Sequence, residues 1–248
     1  MYNKNVKSNT SWSAHILVMG NRHYIGLARI AAFSFLSHNH GVTLNIHTDE
    51  SLSLEVNSRF SHAVRLGMVK VITHREWKKK PWQICKLDLL SLAANNGDLY
   101  FDADTRWFTA FTPTKNPTFL VREYLLGSRF PYRNFIKASF PNKGQSWYMF
   151  NTSVAYFGTE IKKNSALIGR MLNLHRKYLK FLEGLDLGEI DKSNMFRLSE
   201  QLAVSVATQL MFSKILTLKD RDMIRDKRIV DSCYFGATGS MYFRIQIL

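Results

Sequence analysis

The sequence predicts an α/β fold in one large domain, a parallel sheet flanked by helices, and three observations lead there. The chain opens with an apolar run, a stretch of helical periodicity and a second apolar run, which is a strand–helix–strand unit. Further on, the apolar residues Leu99 to Phe101 follow the turn signal Asn95-Asn96-Gly97 and end in two carboxylates, Asp102 and Asp104. The 248 residues, 46% hydrophobic and 13% aromatic, suffice for one substantial core.

The elements follow in order. Met1 to Ser13 is a polar tail without a hydrophobic leader segment, so the domain proper is expected over 14–248. His15 to Met19 is a buried strand closed by Gly20-Asn21. From Tyr24 to Leu36 apolar residues recur at helical spacing, and Asn39-His40-Gly41 stops that helix. Val42 to Ile46 is a second strand, ending at His47-Thr48-Asp49. A short helix over Ser53 to Ser61, a strand over Val69 to Ile72 and a helix over Gln83 to Ala94 complete the first half. A loop from Trp107 leads to a strand over Phe119 to Tyr124. Gly127 to Ser146 reads as a long acceptor-side lid, and Trp147 to Phe157 as a strand region. An amphipathic helix spans about 161–181, with a basic face of Arg170, His175, Arg176, Lys177 and Lys180. Asp186 to Asp191 reads as an acidic turn, and Ser199 as the cap of a helix from Glu200 to Phe212.

Composition narrows the function. No apolar run approaches the roughly 18 residues a membrane helix needs. Cys85 and Cys233 have no metal or redox spacing, so two free thiols and a cytoplasmic location are expected. Lys and Arg number 34 against 19 Asp and Glu, a net charge of +15, which implies a polyanionic partner. Between Trp77 and Trp82 stands Lys78-Lys79-Lys80-Pro81, basic residues among aromatics that suit phosphate with base or sugar; a solvated loop with both tryptophans packed inward is the alternative.

The chemistry gathers at Asp102 and Asp104. Residues two apart on an extended chain point the same way, so if the strand geometry persists past Phe101 the two carboxylates aim at one place and repel each other; a solvated turn after the strand is the alternative. A hard divalent cation, Mg²⁺ or Mn²⁺, relieves that repulsion. Open α/β sheets bind ligands at the carboxyl ends of their strands, although Gly-x-Gly-x-x-Gly is absent and argues against a dinucleotide site.

The order of motifs resembles the GT-A type of nucleotide-sugar glycosyltransferase, closest to the glycogenin/galactosyltransferase-like pattern. Lys86-Leu87-Asp88-Leu89-Leu90 is similar to its helix lysine with leucines after it, and Leu99-Tyr100-Phe101-Asp102-Ala103-Asp104-Thr105 to its strand ending Asp-x-Asp-Thr. Phe150-Asn151-Thr152-Ser153-Val154 resembles its Phe-Asn-x-Gly-Val strand, with Ser153 in place of glycine. Glu200-Gln201 is similar to its acidic residue with Gln, and Cys233-Tyr234-Phe235-Gly236 to its His-Phe-x-Gly segment, with Cys233 in place of the metal-binding His. The resemblance covers roughly 15–240 and implies a GT-A, Rossmann-like, mixed and mainly parallel sheet. It further implies a UDP-type nucleotide-diphosphate sugar donor and Mn²⁺ or Mg²⁺ held by Asp102, Asp104 and the Cys233 position. By the same resemblance Met19, Gly20, Asn21 and Tyr24 hold base and ribose, Asn151 the donor sugar, and Gly236, Gly239 and Ser240 the phosphates. Lys86 adds positive charge near the diphosphate, its alternative being a surface helix lysine. Glu200 is the candidate general base if the reaction inverts, its alternative being a helix-start carboxylate favoured by the dipole.

Two other classes stay open. Asp102-Ala103-Asp104-Thr105 is similar to the nucleophile motif of HAD-type phosphatases, with Thr105 one residue early and the motif far from the first strand. A nucleic-acid-binding protein without catalysis suits the +15 charge but not paired carboxylates at a strand end. For a transferase the expected acceptor is a hydroxyl-bearing modified DNA base, with a bacterial surface glycan or lipid-linked sugar as the alternative.

Overall fold

The computed structural model describes residues 12–120, 122–124, 148–184 and 189–218. Most of the expected tail, the proposed lid and the segment holding Cys233, Gly236, Gly239 and Ser240 lie outside the described residues.

The described elements are β1 (Ser13–Val18), α1 (His23–His38), β2 (Thr43–Asp49), α2 (Ser53–Arg65), β3 (Val69–His74) and a 3₁₀ turn (Arg75–Lys79). They continue as α3 (Trp82–Asn96), β4 (Leu99–Phe101), β5 (Thr118–Phe119), β6 (Arg122–Tyr124), β7 (Tyr148–Phe150) and β8 (Val154–Tyr156). The last are α4 (Ile161–Glu183), α5 (Glu189–Met211) and β9 (Leu216–Thr217). A seven-stranded sheet has the order β3-β2-β1-β4-β8-β5-β9, and β6 pairs with β7 in a second, two-stranded sheet. The first four strands run parallel, β8 is antiparallel to β4 and β5, and β9 is parallel to β5. The sheet is thus mixed and mainly parallel, as the motif order implies.

Alternation along the strands sorts the core into two faces. Ala14, Ile16 and Val18 of β1 and Leu99 and Phe101 of β4 pack with Ile25, Ala28, Ala32 and Phe35 of α1. Leu17 and Tyr100 point the other way, into a cluster with Cys85, Leu89 and Leu90 of α3, Leu167 and Met171 of α4, and Val204 and Ala207 of α5. No described helix is long and apolar enough to cross a membrane.

Several expectations are corrected. The run Phe119 to Tyr124 is two strands, because each half follows a different partner: Phe119 pairs with Ala155 of β8 and Arg122 with Phe150 of β7. The region Trp147 to Phe157 likewise divides into β7 and β8, at a turn where Asn151 Oδ1 accepts from Ser153 N at 2.8 Å. Residues 189–191 of the expected acidic turn are helical, and α5 begins at Glu189. Ser199 is therefore no cap: it is buried inside the helix, and its hydroxyl donates to the Phe196 carbonyl at 2.8 Å. His175 belongs to the packed stripe of α4 and not to its basic face, since it recurs with Leu167, Met171 and Tyr178 among the buried residues.

Chain direction positions the site. From β1 the chain moves outward to β2 and β3, then returns to the other side of β1 as β4. The carboxyl ends of β1 and β4 therefore flank the crevice where strand order reverses.

Candidate functional site

Four elements deliver side chains to this crevice. β4 ends at Phe101, and the next backbone N–H, that of Asp102, donates to the Ser153 carbonyl at 2.8 Å. Thr105 N then donates to the Asp102 carbonyl at 3.1 Å, so the chain turns tightly with Asp102 and Asp104 on it. Tyr100 sits two residues before Asp102, on the same side of the strand, and its hydroxyl donates to Asp102 Oδ1 at 2.6 Å.

Lys86 arrives from α3 and is no surface lysine; it is 3% exposed. Its Nζ lies 3.0 Å from Asp102 Oδ1 and 3.1 Å from Oδ2. It also stands 5.4 Å from the centre of the Tyr100 ring. A buried ammonium needs such partners, because desolvation otherwise exceeds what the fold tolerates.

Glu200 arrives from α5, fully buried in mid-helix, which removes the helix-start alternative. Its Oε2 is 4.0 Å from Lys86 Nζ, and neither carboxylate oxygen has a hydrogen bond within the described residues. The buried Thr152 hydroxyl stands beside it and favours its charged form. Burial pushes the Glu200 carboxyl up to about 6, against the pull of Lys86. α5 is held in place by β7: Phe150 N donates to Ser205 Oγ at 2.8 Å, and Gln209 bridges Tyr148 N and O at 3.0 and 2.7 Å.

Burial first, and the Asp102 charge second, push the Asp104 carboxyl up to about 7, while Lys86 pulls it down. Tyr24, in the first turn of α1, has its phenol raised by burial and then by Asp104 and Asp102, with Arg197 opposing. Tyr24 thus stands near the acid pair. Gly20 takes φ +80, a left-handed turn that glycine adopts freely, and Asn21 Oδ1 accepts from His23 N at 2.9 Å. Met19 is buried with the α3 cluster.

The donor chemistry fits a hard divalent cation. Asp102 and Asp104 offer oxygens only, and the Asp102 charge adds to burial in raising the Asp104 carboxyl. Among the described residues no group of three or more His, Cys, Asp or Glu is arranged to hold a metal, and Cys233 lies outside them.

The structure therefore brings Tyr24, Lys86, Asp102, Asp104 and Glu200 to one crevice. Asn151 has its Oδ1 engaged in the β7–β8 turn. Sequence reasoning missed Tyr100, Thr152 and Arg197. Tyr100 was findable, since period two puts it on the Asp102 side. Arg197, three residues before Glu200, acts on both Glu200 and Tyr24, and finding it required the true start of α5.

No protein-family model matches the chain, and no curated protein matches it. Solved structures similar to it include the PaToxG glycosyltransferase, at 14% identity and TM-score 0.48, over 79% of this chain and 67% of that one. Mouse xyloside xylosyltransferase 1 in its apo form matches at 14% identity and TM-score 0.48, over 88% and 93%. The apo-form glycosyltransferase GlyE of Streptococcus pneumoniae TIGR4 matches at 15% identity and TM-score 0.46, over 84% of this chain and 45% of GlyE.

Proposed function

We propose that the chain is a metal-dependent glycosyltransferase that moves a sugar from a nucleotide-diphosphate sugar, UDP in the simplest case, to a hydroxyl of a polyanionic acceptor. One observation carries the reading: Asp102 and Asp104 at the end of β4 meet a buried lysine and a buried glutamate from two helices. A structural ion pair needs one carboxylate for Lys86; here Asp102, Asp104 and Glu200 gather around it, with Arg197 also acting on Glu200, three carboxylates to two cations among the described residues. That surplus of negative charge suits a cation and, through it, a diphosphate.

Asp102 and Asp104 would hold Mn²⁺ or Mg²⁺, which when bound supplies the charge that makes a nucleoside diphosphate a good leaving group. Lys86 fixes the Asp102 carboxylate in place and keeps a buried positive charge behind the diphosphate site. Tyr24 and the Gly20-Asn21 turn line the nucleoside side. In an inverting reaction Glu200 takes the proton of the acceptor hydroxyl. The acceptor oxygen then bonds to the anomeric carbon as the bond from that carbon to phosphate oxygen breaks, and the nucleoside diphosphate leaves. In a retaining reaction the buried Glu200 carboxylate stabilises the positive charge that builds on the sugar.

The acceptor reading rests on charge. Lys78, Lys79 and Lys80 are exposed, and Trp82, 40% exposed, shares a face of α3 with Lys86 one turn on. Trp77 is buried, so the two tryptophans do not share one environment. A hydroxyl-bearing modified DNA base is the acceptor we favour. The test is mass spectrometry of products formed from a panel of sugar nucleotides, with Mn²⁺ or with chelator, on hydroxylated DNA and on anionic glycans. Metal-dependent transfer to the DNA is the expected result. Transfer to glycan alone removes the DNA acceptor, and neither transfer nor donor hydrolysis with any sugar nucleotide removes the transferase.

A further inference from the structure

Away from the crevice, three neighbouring strands place a histidine each on one side of the sheet. His15 of β1 lies opposite Asn45, two residues before His47; His47 of β2 lies opposite Ile72, two before His74. Each step moves one strand over and two residues along, so the three rings stay on the same face. His15 Nδ1 is 2.9 Å from His47 Nε2, and His47 Nδ1 is 2.9 Å from His74 Nε2. Carboxylates close both ends: Asp98 Oδ2 is 2.9 Å from His15 Nε2, and Glu76 Oε1 is 3.3 Å from His74 Nδ1. The outer ring, His74, stacks on Trp77 of the 3₁₀ turn at 3.7 Å between ring centres.

We propose that this row is an acid-sensitive latch, which holds with one excess proton and parts with two, freeing the Trp77 turn from the end of β3. The count of protons decides this. Four gaps separate Asp98, His15, His47, His74 and Glu76, and three neutral imidazoles bring three ring protons. One further proton fills the fourth gap and makes one ring an imidazolium. That charge rests at either end, on His15 beside Asp98 or on His74 beside Glu76. It passes between them when each ring hands its proton to the next nitrogen. A second excess proton makes five for four gaps, so two N–H groups face each other in one imidazole–imidazole gap and that hydrogen bond is lost.

The break falls between His47 and His74. His47 is 1% exposed, whereas the His74 side chain is 22% exposed and reaches solvent. Burial first, then the charges of His15 and His74, hold the His47 imidazole down to about 3, so it stays the neutral centre of the row. Among the described residues, other charged or titratable groups bear on the row and its turn. Asp98 precedes β4 and also accepts from Ser13 N at 2.6 Å. Lys80, after the turn, acts on Glu76. Cys85 of α3 shares the apolar cluster with Trp77, and burial pushes its thiol up to about 12.

What the latch retains is the segment leading into α3. Lys80 N donates to the Trp77 carbonyl at 2.9 Å, and α3 starts at Trp82 and carries Lys86. The latch does not depend on the transferase reading, and its test uses no substrate. In the full chain labelled with ¹⁵N-histidine, scalar couplings across both N···N hydrogen bonds are expected at neutral pH. Acidification should abolish the His47–His74 coupling first, together with a step in tryptophan fluorescence. The His74→Gln variant, which takes up no proton there, should lose that step. Absence of either coupling at neutral pH, or loss of both together only on global unfolding, overturns the latch. So does a His74→Gln variant that folds and keeps the wild-type acid step. If that variant does not fold, the order in which the wild-type couplings vanish decides.

Discussion

Lys86 enters the interior with its charge because carboxylates meet it there. Asp102 is within 3.1 Å and Glu200 at 4.0 Å, and Lys86 lowers the proton affinity of both Glu200 and Asp104. Lys86→Met strands those carboxylates. Chemical unfolding at neutral pH is expected to show a loss of about 3–5 kcal/mol, and donor turnover to fall about 100-fold or more. Glu200 gives the opposite sign. Its carboxyl is raised from 4.5 to about 6, so the folded chain binds that proton more tightly than the unfolded one. The stability this contributes is present below 4.5 and lost as pH rises through about 6. Glu200→Gln is therefore expected to stabilise the chain at neutral pH by up to about 2 kcal/mol, with no gain below pH 4.5, while transfer fails. Unfolding curves at the two pH values, beside a transfer assay, check this; a destabilised but active Glu200→Gln variant contradicts it. The residue types at this site were legible from the Asp-x-Asp spacing and the motif order. That Lys86 is buried was not, because an α3 with apolar residues on every side leaves no polar face to tell inside from outside.

Elements were legible where local periodicity decides them. β4 has the bounds its apolar run predicts, and α1 and α3 differ from expectation by a residue or two at their ends. The misreadings fall where partners decide. The two divided strands follow different neighbours, and α5 already includes Glu189 and Asp191, acidic residues that read as part of a turn. α4 is the instructive helix. His175 looks basic in sequence, yet it lies 5% exposed in the packed stripe, its Nε2 without a hydrogen bond among the described residues. Burial holds its imidazole down to about 4, against the nearby Asp88. The unfolded chain takes up that proton near 6.5 and the folded chain only near 4, so stability rises with pH across that window. His175→Leu is expected to flatten the acid limb of a stability profile measured by urea unfolding. A profile unchanged from wild type between those values means that other groups carry the acid sensitivity.

At the scale of the molecule, charge is the property with consequences. An excess of +15 favours an anionic acceptor surface whatever the fold. If DNA is that acceptor, filter binding should weaken steeply with salt, by about 10³-fold or more between roughly 50 and 200 mM for six or more phosphate contacts. A flat salt series removes DNA as the acceptor and leaves the donor site untouched. In the proposed reaction donor and acceptor meet at the parallel half of the sheet, because strand order reverses between β1 and β4 and leaves a crevice at their carboxyl ends.

By itself the sequence determined the alternation of strands and helices, the carboxylate pair closing a buried strand, and the positive charge. Each is written in a few adjacent residues or in composition, so no neighbour is needed to express it. Only the tertiary structure decided that Lys86, Asp102 and Glu200 converge from α3, β4 and α5, and that His15, His47 and His74 form one row. Such contacts depend on strand register and helix placement, which join residues far apart in the chain and leave no local pattern.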